Sequence, residues 1–276
     1  MFVRVKKSIL TASFVCLAIG CHTFQQGQPT KLRIAVTSST FDSGLFDRLI
    51  PLFETQHNVA VDVIVAGSEK SLKLGKQGNV DLVWVHARTA EDEFMAAGDG
   101  IRREDVMYNT FEILGPASDP AGVRGGGLTE ALQAISRGQY RFISRGDRSG
   151  THQRELSLWT TAGEMPNWEQ YIKSNQGMGP TLVMADQKDA YVLADRGTYL
   201  KFKDKINLVP LVQSPEELAN PYGILVVNPA KHPAIKGALA QKFVDFLISP
   251  ATQRLIREYK IEGEQLFYPL HLAATE

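Results

Sequence analysis

The chain has 276 residues, 43% of them hydrophobic and 22% charged, which is the composition of an ordinary globular protein with ample core. Thirty basic and thirty acidic residues give a formal net charge of zero. With no basic stripe and no recognisable nucleic-acid motif, nucleic acid is excluded as a partner.

The first element in chain order is a targeting segment. Arg4, Lys6 and Lys7 precede a mostly apolar run from Ile9 to Ile19, too short to span a bilayer as a mature helix. Leu17-Ala-Ile-Gly-Cys21 then resembles a bacterial lipobox, with Cys21 as the lipidated residue; a plain secretory signal cleaved nearby is the alternative. Either reading exports the protein, to the periplasm or to an extracytoplasmic membrane anchor. Removing residues 1–20 leaves 27 basic against 30 acidic residues, near −3. Both cysteines, Cys16 and Cys21, fall in or beside this leader, so the mature domain lacks a disulfide and a thiol nucleophile. Residues 22–30 read as a tether.

Leu32–Val36 reads as a buried strand, followed by a hydroxyl-rich turn, Thr37-Ser-Ser-Thr40. Ser43 is a helix cap for a segment with Leu45, Leu49, Leu52 and Phe53 at helical spacing, which Pro51 should kink or shorten. Val59–Val65 is a valine-rich strand. Gly67-Ser68 opens a short helix with Leu72 and Leu74, ended by Gly78-Asn79, and Asp81–Val85 is a third strand. Strands alternating with helices predict βαβ units and a parallel sheet. Asn109–Gly115 and Tyr140–Ser144 read as further strands, with a helix at Glu130–Ser136 between them. Helices are expected at His152–Ala162 and Ala185–Ala194, a strand at Ile206–Val212, and an apolar, non-edge run at Ile224–Val227. Helices at Ile235–Ile248 and Pro250–Tyr259 close the chain.

The segment Ser144-Arg-Gly-Asp-Arg-Ser-Gly-Thr-His152 carries the most chemistry. A strand, a glycine-containing turn and a helix start make an anion-binding arrangement, because the first helical turn leaves N–H groups unpaired at the positive end of the macrodipole. Ser149, Gly150 and Thr151 add hydroxyls and close backbone approach, and Arg145 adds a charged fork of donors. Thr37, Ser38 and Ser39 offer similar chemistry after the first strand, and Ser68 is a further candidate donor. The two turns facing each other would cage a small oxyanion. His86 ends an apolar strand as either an interface residue near the site or a structural histidine. Asp195 and Arg196 read as a structural ion pair, and Trp84, Trp159 and Trp168 as packing. Ser149, His152 and Asp147 are sequence neighbours without a G-x-S-x-G elbow, and no HExxH is present, so an enzyme is disfavoured.

Taken together these segments resemble the bacterial tungstate-binding proteins of ABC importers, within the type II periplasmic binding proteins. The likeness covers nearly the whole mature chain. It rests on Thr37-Ser-Ser-Thr-Phe-Asp-Ser-Gly44, Leu72-Lys-Leu-Gly75, Val85-His-Ala87, Met107-Tyr-Asn109, Ser144-Arg-Gly-Asp147, Ser149-Gly-Thr-His152, Glu155-Leu-Ser-Leu-Trp159, Gly177-Met-Gly179, Asp195-Arg-Gly-Thr-Tyr199, Asn220-Pro-Tyr-Gly223 and Gly263-Glu-Gln-Leu-Phe267. The resemblance implies an α/β fold of two lobes closing on one tetrahedral oxyanion, tungstate or molybdate, and delivering it to a membrane permease. Lobe I would comprise residues 31–110 and 223–276, lobe II residues 111–222, with crossings near Phe111 and Pro221. Thr37 to Ser39, Arg145 and Ser149 to Thr151 would hold the ligand; no cofactor is implied and a monomer is expected. A phosphate or sulfate binder of the same fold, or an anion sensor for a membrane receptor, are the alternatives. Two departures stand out. Thr-Ser-Ser-Thr replaces the family's Thr-Thr-Thr-Ser at residues 37–40, and Arg148 stands where a second Asp is usual.

Overall fold

The computed structural model describes residues 29–272; the leader, Cys21 and the tether through residue 28 lie outside the described residues. The chain opens with strand β1 (Thr30–Val36), a short helix α1 (Ser38–Asp42) and helix α2 (Leu45–His57). Strand β2 (Val59–Val65), helix α3 (Ser68–Lys76) and strand β3 (Leu82–Val85) complete a parallel trio in which β1 pairs with both β2 and β3. Helix α4 (Arg88–Ala96) leads into β4 (Gly100–Gly115), a 16-residue strand.

The second run of elements comprises α5 (Leu128–Arg137), β5 (Phe142–Ser144), α6 (Gly150–Thr161), β6 (Tyr171–Lys173), α7 (Met178–Gln187), β7 (Tyr191–Asp195), α8 (Arg196–Phe202) and β8 (Val209–Val212). Strand β9 (Ala219–Val227) then returns beside β3 and β4, and α9 (Gly237–Ile248) and α10 (Pro250–Glu258) follow. Three two-residue strands, β10 (Lys260–Ile261), β11 (Glu264–Gln265) and β12 (Tyr268–Pro269), end the described chain. The main sheet runs β2-β1-β3-β9-β4-β7-β5-β6, with β8 and β12 also on β4.

Side-chain alternation along the strands decides which face each residue feeds. Leu32, Ile34 and Val36 of β1, Trp84 of β3 and Ile224 of β9 pack under α2 and α9 through Leu49, Phe53 and Phe243. Ala35, Val83, Val85, Leu225 and Val227 face the opposite way, onto Leu72 of α3 and Phe94 of α4. The other end of the sheet repeats the scheme. Phe111 and Ile113 of β4 join Trp159, Trp168 and Tyr191 on one face. Leu114, Val192 and Ala194 join Met178 and Leu182 on the other. Trp84, Trp159 and Trp168 are all buried.

Several expectations are corrected. The sheet is mixed rather than parallel: β3 is antiparallel to β9, and β4 is antiparallel to β7, β8 and β9. Ala185–Ala194 is not one helix; α7 stops at Gln187, Asp189 turns the chain at φ 48°, and Tyr191–Asp195 forms a buried strand between β4 and β5. Pro51 neither ends nor shortens α2, which continues to His57. The cap of α2 is Gly44 at φ 83°, although the Ser43 hydroxyl does accept from the Leu45 N–H at 3.2 Å. The Thr37–Thr40 turn is helix α1 from Ser38 onward. Only Val209–Val212 of the Ile206–Val212 run pairs in the sheet.

Candidate functional site

The Ser144–Thr151 loop is shaped by its backbone. Gly146 adopts φ 65°, and a Cβ there would lie 2.7 Å from the Lys173 Cβ, so the sharp turn requires glycine. Arg148 follows at φ 60°, its N–H donating to His152 Nδ1 at 3.1 Å. Ser149 caps α6: its hydroxyl accepts from the His152 N–H at 3.3 Å. Both the main-chain N–H of Ser149, at 3.2 Å, and its hydroxyl donate to the Asp147 carboxylate.

Beneath the loop, Glu155 is almost fully buried, and its carboxylate accepts from Trp159 Nε1 at 3.2 Å and Tyr171 OH at 2.5 Å. Burial pushes its carboxyl up to about 6, against the lowering pull of Tyr171, Ser144, Trp159 and the Arg145 N–H.

A cavity of about 430 Å³ opens above this loop. It is bordered by Gly67 and Ser68 at the start of α3, Ser149, Gly150 and Thr151 at the start of α6, and Gly177 to Pro180 at the start of α7. Neither α3 nor α7 has a side-chain cap bond. Three first turns therefore bring unpaired N–H groups and positive dipole ends to one space. Thr37 is buried and borders the same cavity, its hydroxyl 2.6 Å from that of Thr40. Ser38 and Ser39 open α1 immediately beyond it; their side chains lie outside what the structure describes.

Arg145 reaches the same cavity, with Nε donating to the Gln176 carbonyl at 3.1 Å and Nη2 paired with Asp147. Burial would raise the Asp147 carboxyl, but hydrogen bonds from Ser149 and Arg145, with the Arg145 charge, hold it below the usual range. His86 and Gly150 both border the cavity, and a Cβ on Gly150 would come within 3.1 Å of the His86 Cε1. Burial pushes the His86 imidazole down, with Asp195 and Asn220 opposing and Arg145 assisting, so the ring is neutral at pH 7. Arg148 is exposed and does not border the cavity.

The structure thus brings together Thr37, Ser68, Arg145, Ser149, Gly150 and Thr151. Sequence reasoning overlooked Gly177 to Pro180 as site residues. The available signal was a glycine-proline helix start, since proline is favoured in the first turn of a helix. It also overlooked Thr198 and Lys201 of α8 and two carboxylates, Asp42 and Asp195. Asp195 is spent as a cap, accepting from the Thr198 N–H and hydroxyl at 2.8 Å each. The expected Asp195–Arg196 ion pair does not form; Arg196 instead bridges Glu112 and Glu264. Among the described residues no cluster of three or more His, Cys, Asp or Glu side chains could hold a metal ion.

A cage of main-chain N–H groups, hydroxyls and one arginine between two cores is a solute-binding arrangement, and the chain belongs to the PBP superfamily, whose domain model matches residues 24–251. The chain is 42% identical over 277 residues to a tungstate-binding protein of Peptoclostridium acidaminophilum, covering 95% of this chain and 97% of that one. Among solved structures, the tungstate ABC transporter protein of Geobacter sulfurreducens is 49% identical, with a TM-score of 0.76 over 83% of this chain and 98% of that one. The tungstate-binding protein of Desulfovibrio alaskensis is 40% identical, with a TM-score of 0.81 over 87% and 99% respectively.

Proposed function

We propose that this chain is an extracytoplasmic solute-binding protein that captures a tetrahedral oxyanion, tungstate first and molybdate second, for an ABC importer. The observation that carries the reading is the convergence of the first turns of α3, α6 and α7 on one cavity with Thr37 and Arg145. Tungstate has four oxygens and no proton at neutral pH, so it needs donors. A buried dianion is tolerated only where each oxygen is hydrogen-bonded. Thr37, Ser38, Ser39, Ser68, Arg145, Ser149, Gly150 and Thr151 are the proposed ligand residues, with the N–H groups of Met178 and Gly179 added to them.

The proposed lobes are residues 31–110 with 223–276, and residues 111–222. The separation of apolar side chains into one pair of clusters around β1, β3 and β9 and another around β5 and β7 supports that division. Closure of the lobes would exclude water and strengthen each contact. The proposed partner is a membrane permease, the proposed anchor a lipid on Cys21, and the protein is a carrier rather than an enzyme. A phosphate-type ligand is the second reading, favoured by one observation: the Asp42 carboxylate borders the cavity and would accept a proton from a hydrogen phosphate.

Calorimetric titration of the mature domain, stripped of bound anion, with tungstate, molybdate, sulfate and phosphate tests this. One-to-one binding of tungstate with sulfate and phosphate silent is the expected result. Tighter phosphate or sulfate binding would replace the tungstate reading, and silence with all four would remove the oxyanion role.

A further inference from the structure

A second cavity, of about 420 Å³, lies on the far side of the His86–Gly150 contact. Its walls come from the start of α4, one face of α6, Phe111 of β4 and the Ala219–Pro221 end of β9. Two arginines line it and no carboxylate does, whereas the oxyanion cleft carries Asp42 and Asp195.

The two arginines differ. Arg88 is neutralised by Asp92 at 2.9 Å and Asp105 at 3.3 Å. Arg154 has no ion-pair partner among the described residues: its guanidinium bonds only to the Glu217 main-chain carbonyl, and its Nε is buried with no acceptor. Burial is the sole influence on its proton affinity, and it acts to lower it. Arg154 is half-buried. A guanidinium partly withdrawn from water without a counter-charge is unfavourable, and arginine cannot relieve that by losing its proton.

We propose that this cavity is a second anion site, in which the Arg154 guanidinium takes the carboxylate of a small organic acid. A planar fork of donors matches a planar carboxylate. Phe111, Ala219 and Pro221 provide an apolar wall for a short carbon chain, which an inorganic oxyanion would not use. Arg154 sits one turn beyond Gly150 on α6, so the two ligands would occupy successive turns of one helix.

The test uses the mature protein saturated with tungstate and labelled with ¹⁵N-arginine, titrated with sodium propanoate against sodium chloride at constant ionic strength. The Arg154 Nε–H resonance should shift saturably at about millimolar propanoate, the range of a weak small-ligand site. In uniformly ¹⁵N-labelled protein the main-chain amide of Ser157, which borders the same cavity and is kept in the variants, should respond alongside it. Arg154→Gln should abolish that amide response, and Arg154→Lys, which keeps the charge and loses the fork, should weaken the affinity it reports about tenfold, the worth of one bidentate hydrogen bond. Arg145→Ala should leave it unchanged. A shift linear in propanoate, one equally produced by chloride, or one lost in Arg145→Ala would each overturn the second site. The wild-type titration decides the matter even if the Arg154 variants do not fold.

Discussion

Replacing Glu155 by glutamine should change how stability depends on pH more than it changes stability itself. Burial raises this carboxyl from its ordinary value of 4.5 to about 6. At 1.36 kcal/mol for each tenfold change in proton affinity, the ionised form is disfavoured in the folded protein by about 2 kcal/mol. The group is 3% exposed, so solvent screening takes little from that figure. Because the folded value lies above the unfolded one, the folded state binds the proton more tightly. The resulting stabilisation is fully present below pH 4.5 and is lost as pH rises through about 6. Glutamine has no such titration. Urea unfolding of both proteins should therefore show the stability difference, native minus variant, larger by about 2 kcal/mol near pH 4 than near pH 7.5. In thermal unfolding the same change amounts to about 4–8 °C in relative Tm for a chain of this size. All other carboxylates are common to both proteins and cancel. Parallel pH profiles would refute the reasoning and mean that Trp159, Tyr171 and the Arg145 N–H already compensate the buried charge.

Three further outcomes are expected. Arg145→Ala should weaken tungstate binding about a hundredfold or more, since it removes a charged donor from the cavity and takes the ion-pair partner from Asp147; calorimetry showing unchanged affinity would take Arg145 out of the site. Arg148→Asp, at an exposed position away from the cavity, should shift the same affinity by less than about 1 kcal/mol and less again in high salt, so a reversed anion ranking would show that Arg148 reaches the ligand. Gly223→Ala should destabilise by about 1–3 kcal/mol through overpacking, because its Cβ would sit 2.3 Å from Glu91 Oε2 and 2.9 Å from Arg103 Nη2; an unchanged Tm would mean that this buried ion pair can shift aside.

Strands β1, β2 and β3 were legible because their apolar runs are bounded by polar turns, and α9 and α10 because their buried residues keep helical spacing. The first half of β4 was hidden by the charged run Arg102-Arg-Glu-Asp105. Those charges are tolerated in a strand because side chains two apart share a face: Arg102 pairs with Glu104 at 3.1 Å and Arg103 with Asp105 at 2.6 Å. Strand β7 was read as helix because Ala185, Ala190 and Ala194 favour helix, and the neighbours that decide, β4 and β5, are distant in sequence. The antiparallel setting of β9 is likewise a property of where the chain returns. At the site, Thr37 and Ser149 to Thr151 announced themselves through hydroxyls at helix starts. The contribution of α7 was marked only by Pro180 near its start, since Gly177 and Gly179 carry no side chain to point at a ligand.

The donors around the cleft belong largely to the peptide backbone at the openings of α3, α6 and α7. Main-chain amides are indifferent to which residue carries them, so exchanges such as serine for threonine along residues 37–40 leave that part of the cage in place. A change in loop length is different. One residue inserted between β5 and α6, or just ahead of α7, would lengthen the loop by up to about 3.5 Å and shift the helix opening away from the strand that positions it. Insertions and deletions at these junctions, rather than substitutions within them, are the changes that would divide relatives of this fold into those that keep such a cleft and those that lose it.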